Sequence, residues 1–217
     1  DKVALARAAA GEVMGKNDRI ISVETSYSDG ENASYRLMSN GFEGESKSTW
    51  YSVSASVAIK GEGEARPSDY WYGSSLFYDK LPKTDIGSVA LERVLRKLGQ
   101  KKAKSGKYTM VVDPINSGRM LSPVLSALYG SSLQQKNSFL IDKLDQKVFS
   151  DKLTVMDDPH VIGANGSRYF DNEGVATEHR PIFENGVLKT YFFDTYNAKK
   201  MGVAPVSYTH LTLPTIL

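Results

Sequence analysis

Three histidines, His160, His179 and His210, are the chain's whole supply of imidazole, and cysteine is absent. Zinc held on one short stretch needs imidazoles about three to five residues apart, a spacing these three do not have. A zinc site assembled from distant parts would draw on His160 and His179 with Asp157, Asp158 or Glu178, since ligands need only meet in space. The plainer reading of the same residues is solvated acids and isolated imidazoles near turns. Asp157 and Asp158 also have the types for a general acid and base. Neighbours on a strand point to opposite faces, however, which favours a turn before Pro159 instead. The run Gly163-Ala-Asn-Gly166-Ser-Arg168 has the composition of a backbone anion nest assisted by Arg168, or of a plain connecting loop. Without cysteine there is no thiol nucleophile, disulfide or Cys-ligated metal. Gly-x-Ser-x-Gly, Ser-x-x-Lys, the Walker loop, Gly-x-Gly-x-x-Gly and His-Glu-x-x-His are all missing, which removes the common hydrolase and nucleotide-binding signatures.

The elements that must position these residues are read from periodicity. An Ala-rich helix is predicted over 2–16, with Leu5, Ala8, Ala9 and Val13 along one stripe. Strands are predicted over 20–28, 34–39 and 49–60. In the last, Tyr51, Val53, Ala55, Val57 and Ile59 alternate with mostly polar residues, the period of a half-buried strand. Asn40-Gly41 and Gly61-Glu62-Gly63 mark turns. Another strand runs from Asp69 to about Tyr78, its aromatics read as packed side chains rather than a stacking platform for bases. Helical spacing returns over 85–98, with Thr84 as cap and Gly99 as terminator. Further on come a short strand over 108–113 and a buried helix over 117–129. Pro123 must kink that helix or begin it, with Ser122 as cap. A strand at 153–156 precedes a glycine-punctuated loop over 160–174. Asn185-Gly186 joins two strand-like runs as a hairpin, and a short helix spans 195–201.

The chain has 217 residues, of which 41% are hydrophobic and 24% charged, so it is globular rather than disordered. A net charge of +2 gives no global reason to expect nucleic acid or an anionic membrane as partner. Seven Lys and Arg with no acid lie between Arg93 and Lys107. They are read as the solvated end of a helix running into a linker, in preference to a phosphate-binding patch. No run of apolar residues is long enough to span a bilayer, and no signal peptide is visible in a chain that begins Asp1-Lys2-Val3. The expected organisation is α+β: a helix and antiparallel strands over 1–105, the start of a β-rich domain over 106–205, and an unrelated, extraneous-looking tail over 206–217.

Several stretches resemble one family in order along the chain: Ser39-Asn-Gly-Phe-Glu-Gly44, Asp69-Tyr-Trp-Tyr72, Asp157-Asp-Pro159, Gly166-Ser-Arg-Tyr-Phe-Asp-Asn-Glu-Gly-Val-Ala-Thr177 and Asn185-Gly-Val-Leu-Lys-Thr-Tyr-Phe-Phe-Asp-Thr-Tyr-Asn-Ala-Lys-Lys-Met-Gly202. Over about residues 1–205 the chain looks like the TldD/PmbA family, most of all its PmbA (TldE) branch, as a fragment. The resemblance implies a cytoplasmic, zinc-dependent protease of two subunits that digests unfolded or modified peptides. An older description of the branch is modulator of DNA gyrase. In TldD-type members a His-Glu-x-x-x-His motif lies on a helix. The comparable segment here, Gly118-Arg-Met-Leu-Ser122-Pro123-Val-Leu-Ser-Ala127, puts Ser122 and Ala127 at the two His places and Pro123 at the Glu place. The expectation is therefore a non-catalytic subunit with no catalytic or metal-binding residues of its own, zinc being bound by a TldD-like partner. Gly163, Gly166, Arg168 and Asp171 are the candidates for substrate or partner contact. The competing expectations are a divergent metallopeptidase using His160 or His179, and a binding module built on the basic cluster.

Overall fold

A computed structural model describes residues 1–207 of the chain, which form two compact units. One comprises residues 1–37 and 44–107, the other residues 38–43 and the chain from 108 onward. The mixed α+β architecture expected from the sequence is the one adopted. His210 and most of the expected 206–217 tail lie outside the described residues. No helix among the described residues is long and apolar enough to cross a membrane.

The first unit is a three-stranded sheet, β1 (Ile20–Leu37), β2 (Glu43–Ile59) and β3 (Ser68–Ser75), in the order β1-β2-β3. Alternation along β2 sorts its side chains: Val53, Ala55, Val57 and Ile59 are buried, while Ser52, Ser54 and Ser56 face the other side. The predicted strands 20–28 and 34–39 are one continuous strand. Gly30 is no break, because a Cβ there would lie 2.6 Å from Trp50 Nε1: the glycine admits the indole ring. Hydroxyl pairs Ser26–Ser54 and Ser34–Ser46, each at 2.8 Å, run along both halves of the β1–β2 ladder. In β3, Trp71 packs against the core, whereas Tyr70 and Tyr72 turn outward and stack on each other at 6.3 Å. The expectation of packed aromatics thus holds for the inward-facing member of the run.

Helix α1 (Lys2–Gly11) starts on an Asp1 cap, and α2 (Ile86–Leu95) packs beside it over the buried face of the sheet. The two helices approach so closely that a Cβ on Gly87 would sit 2.1 Å from the Ala9 carbonyl. The start of α2 differs from expectation. Thr84 is not its cap; Asp85 holds that place at a left-handed φ of 64°, its carboxylate accepting from the Thr84 hydroxyl at 3.3 Å and from none of the helix amides. The Glu12 carboxylate, beyond the end of α1, accepts from the amides of Asp85 (2.9 Å), Gly87 (2.7 Å) and Ser88 (3.2 Å). An acid there satisfies otherwise orphaned donors and opposes the positive end of the helix dipole. Part of the basic cluster is also spoken for: Arg93 and Lys97 meet Asp69 at 3.5 and 3.2 Å, and Arg96 pairs with Glu92.

In the second unit, α3 (Pro114–Ser126) begins earlier than predicted. Asp113 caps it through the Ile115 amide at 3.0 Å and Pro114 occupies the first turn, so Pro123 lies inside the helix. The strand predicted over 108–113 is absent: no described strand pairs with it, and Met110 and Val111 are exposed. A β-branched run extends into a strand only where a neighbouring backbone receives its hydrogen bonds. After α4 (Gly130–Gln134) come β4 (Val155–Asp157), β5 (Arg180–Glu184) and β6 (Val187–Leu188), an antiparallel sheet in which Val155, Ile182, Phe183 and Leu188 are buried, the adjacent Ile182 and Phe183 from opposite faces. Asn185 and Gly186 adopt φ of 49° and 79°, the positive values their hairpin turn requires. Helix α5 (Thr195–Met201) falls where predicted, between the Asp194 cap and the left-handed Gly202.

Two outcomes follow. Glu12→Ala lowers stability by about 1–2 kcal/mol through loss of the cap on α2, read from the midpoint of urea unfolding; an unchanged midpoint contradicts the cap. Gly186→Ala, whose Cβ would lie 2.3 Å from the Phe149 carbonyl, destabilises by about 3 kcal/mol or more, since positive φ and overpacking add.

Candidate functional site

The polar residues singled out in the sequence gather in the second unit around the junction of β4 and β5. Asp157 ends one strand and Arg180 begins the other, and they are register partners. Asp157 is buried, and its carboxylate lies 3.9 Å from Arg180 Nε. Burial pushes the Asp157 carboxyl above the ordinary value of 3.8, more than the nearby charges of Arg180 and Arg168 draw it back. Asp158 points the other way, into solvent, 3.9 Å from His179. The two aspartates therefore do not cooperate as an acid and base, as strand geometry requires. Asp157 departs from the solvated reading, because β5 covers it.

Between β4 and β5 the chain makes a returning loop. His160 Nε2 lies 3.1 Å from Thr177 Oγ1, which donates to the Arg168 carbonyl at 2.5 Å, while the Arg168 amide donates to the Pro159 carbonyl at 2.9 Å. These bonds tie the start and end of the loop together. Of the four candidate contact residues, Gly163 is exposed at a left-handed φ of 81°. Gly166 accepts from Arg168 Nη1 at 2.9 Å, so these two residues do meet. Within the proposed anion nest, the amides of Ala164, Ser167 and Arg168 donate to the chain's own carbonyls. Asp171 is buried and serves the turn that follows. Its Oδ1 accepts from the Glu173 amide (2.8 Å) and the Val175 amide (3.0 Å).

Sequence reasoning missed Glu173 and Phe42. The Glu173 carboxylate accepts from the Thr195 amide and hydroxyl at 2.8 and 2.9 Å, adding an acceptor at the start of α5. Phe42 meets Phe170 edge to face at 4.9 Å, and a Cβ on Gly174 would lie 2.7 Å from the Phe42 ring. The Asp171-Asn-Glu-Gly174 run is thus a folded knot: one acid closes the turn, one reaches a helix, and the glycine leaves room for a ring.

The suggested zinc ligands do not assemble. His160 is turned to Thr177 and His179 to Asp158. Among the described residues no group of three or more His, Asp or Glu side chains is placed to hold a metal ion. On α3, Ser122 and Pro123 are exposed, and Ala127 follows the helix as its buried C-cap. Proline and alanine carry no donor atom, so this segment does not fit the metal that a His-Glu-x-x-x-His helix would hold.

Residues 1–98 match the PmbA/TldA metallopeptidase central domain and residues 105–210 the PmbA/TldA metallopeptidase C-terminal domain. The chain belongs to the PmbA/TldD metallopeptidase family. It is 34% identical over 163 residues to the metalloprotease PmbA homolog of Haemophilus influenzae, a match covering 74% of this chain and 36% of that protein. A solved structure from Bacteroides thetaiotaomicron, described as a candidate modulator of DNA gyrase, is similar with a TM-score of 0.91 and 67% identity. It covers 95% of this chain and 47% of that one. A Thermotoga maritima structure of the same description has a TM-score of 0.85 and 25% identity, over 97% of this chain and 49% of that one. The chain thus spans less than half the length of these PmbA/TldD relatives.

Asp157 provides a signed test. Its raised folded value means that its contribution to stability is fully present below the ordinary 3.8 and is lost as pH rises through the raised value. Asp157→Asn removes that titration. The stability of the natural chain relative to Asp157→Asn therefore falls as pH is raised from 3.8 toward neutrality and then levels. Urea unfolding across pH measures it; a difference that grows with pH contradicts the burial-dominated shift.

Proposed function

We propose that this chain is part of a non-catalytic, PmbA/TldE-like subunit of a cytoplasmic, TldD/TldE-type metalloprotease acting on unfolded or modified peptides. In this reading a TldD-like partner binds zinc and activates the hydrolytic water. The observation that carries it is the replacement of both imidazoles and the carboxylate by Ser122, Ala127 and Pro123 on and beside α3. A general base needs a titratable atom and a zinc ligand needs a lone pair. Neither proline nor alanine offers one, and a serine hydroxyl alone is a poor ligand for zinc. What remains for this subunit is to shape the chamber and present peptide. Gly163, Gly166 and Arg168 are the residues proposed to meet substrate or partner. Asp171 acts by holding the neighbouring turn.

The longer protein that contains this chain is co-expressed with a TldD-like protein. They are expected to co-purify, and peptide cleavage is expected to require both and to be lost on mutating the partner's zinc motif. One equivalent of zinc on the PmbA-like protein alone, with cleavage abolished by His179→Ala, would overturn the assignment. Independent purification of the two with unaltered cleavage would do the same.

A further inference from the structure

The chain contains three Asn-Gly pairs, at 40–41, 165–166 and 185–186. We propose that Asn165-Gly166 is a site of spontaneous deamidation, the one pair of the three that the fold leaves free to cyclise. The reaction needs no enzyme. The deprotonated amide nitrogen of the glycine attacks the asparagine Cγ, the bond from Cγ to the side-chain nitrogen breaks, and ammonia leaves a five-membered succinimide. Water then opens the ring at either carbonyl to give aspartate or isoaspartate. Nitrogen departs as ammonia, oxygen enters from water, and no electrons change hands. Glycine is the favoured successor because it has no Cβ to obstruct the attack.

All three asparagines are exposed, so exposure does not separate them. Their backbone bonds do. The Gly41 amide donates to the Met38 carbonyl at 3.0 Å, and Asn40 Oδ1 accepts from the Phe42 amide at 3.0 Å, which holds nitrogen and electrophile apart. The Gly186 amide donates to the Leu153 carbonyl at 2.8 Å, its carbonyl accepts from Val148 and Phe149, and the Asn185 amide donates to Thr154 Oγ1 at 3.1 Å. Cyclisation at either place must first break native hydrogen bonds. Asn165 and Gly166 sit at the centre of a turn closed only outside them, by the Ser167 amide on the Ala164 carbonyl at 3.1 Å. Among the described residues neither the Asn165 side chain nor the Gly166 amide makes a hydrogen bond.

The product adds a negative charge to the loop that carries Arg168, whose guanidinium donates to the Gly166 carbonyl. Isoaspartate also lengthens the backbone inside the turn. The modification therefore alters the loop whether or not the subunit assignment above holds.

The full chain is aged in its folded state at mildly alkaline pH. Peptide mapping by mass follows amide-to-acid conversion at each pair, and an isoaspartyl methyltransferase labels the rearranged product. Asn165 is expected to convert faster than Asn40 and Asn185 by at least about tenfold, equivalent to about 1.4 kcal/mol in activation free energy. In urea the three rates are expected to converge. The Gly166→Ala variant, which remains able to close the turn, is expected to lose most conversion at 165. Native conversion at Asn40 or Asn185 as fast as at Asn165, or a rate order unchanged by unfolding, would overturn the proposal.

Discussion

The first turn of a helix leaves amide N–H groups without partners inside the helix, and in each unit an acid from elsewhere in the chain receives some of them. Glu12 does so for α2 and Glu173 for α5. In the first unit this contact also sets how near the helices lie. Gly87 can face the Ala9 carbonyl only because it has no side chain, and the Glu12 carboxylate then reaches the amides of that same turn. With α1 and α2 fixed together, their apolar sides close the inner face of β2 and β3. In the second unit, Glu173 belongs to the same tight turn that Asp171 closes, so one short run of sequence organises both a loop and a helix start.

What was legible in the sequence is what is decided locally. The alternation in β2, the Asn185-Gly186 turn and the helix over 195–201 are each set by neighbouring residues, and each appears as read. Expectations failed where a distant partner decides. Thr84 has the chemistry of a cap, but Glu12, far away in sequence, occupies the amides first. The 108–113 run has strand composition and lacks a neighbouring strand among the described residues. The strands predicted over 20–28 and 34–39 are one, and Gly30 between them makes room for Trp50 on the neighbouring strand. At the start of α3, Asp113-Pro114 and Ser122-Pro123 carry the same signature of a cap and a first-turn proline, and the helix begins at the first of them.

The candidate site divides along the same line. Opposite faces for Asp157 and Asp158 follow from strand geometry alone. The burial of Asp157 does not, since it depends on β5 arriving with Arg180 in register from across a long loop. A buried carboxylate beside guanidinium groups carries two opposed effects, desolvation against attraction, and here desolvation dominates. Its burial beside Arg180 places Asp157 inside the fold, where β5 covers it. The exposed residues of the loop include Ile162, Gly163, Asn165 and Tyr169 together with the polar His160 and Ser167.

In the proposed reading, exposed Ile162 and Tyr169 beside a glycine turn give a peptide or protein a surface to rest on. Ile162 and Tyr169 supply exposed area, Tyr169 with a phenolic hydroxyl as well, and the amides of Ala164, Ser167 and Arg168 are occupied by the chain's own carbonyls. Hydrolysis demands the opposite arrangement, an acceptor or cation with free valence aimed at the reacting carbonyl. The returning loop and α3 agree in this respect. On and just beyond α3, Ser122, Pro123 and Ala127 have little or no capacity to donate electron pairs. At the loop, both imidazoles are turned toward partners of their own. Under the proposed division of labour, these two segments, far apart in sequence, would serve binding in this chain while a partner cleaves the bond.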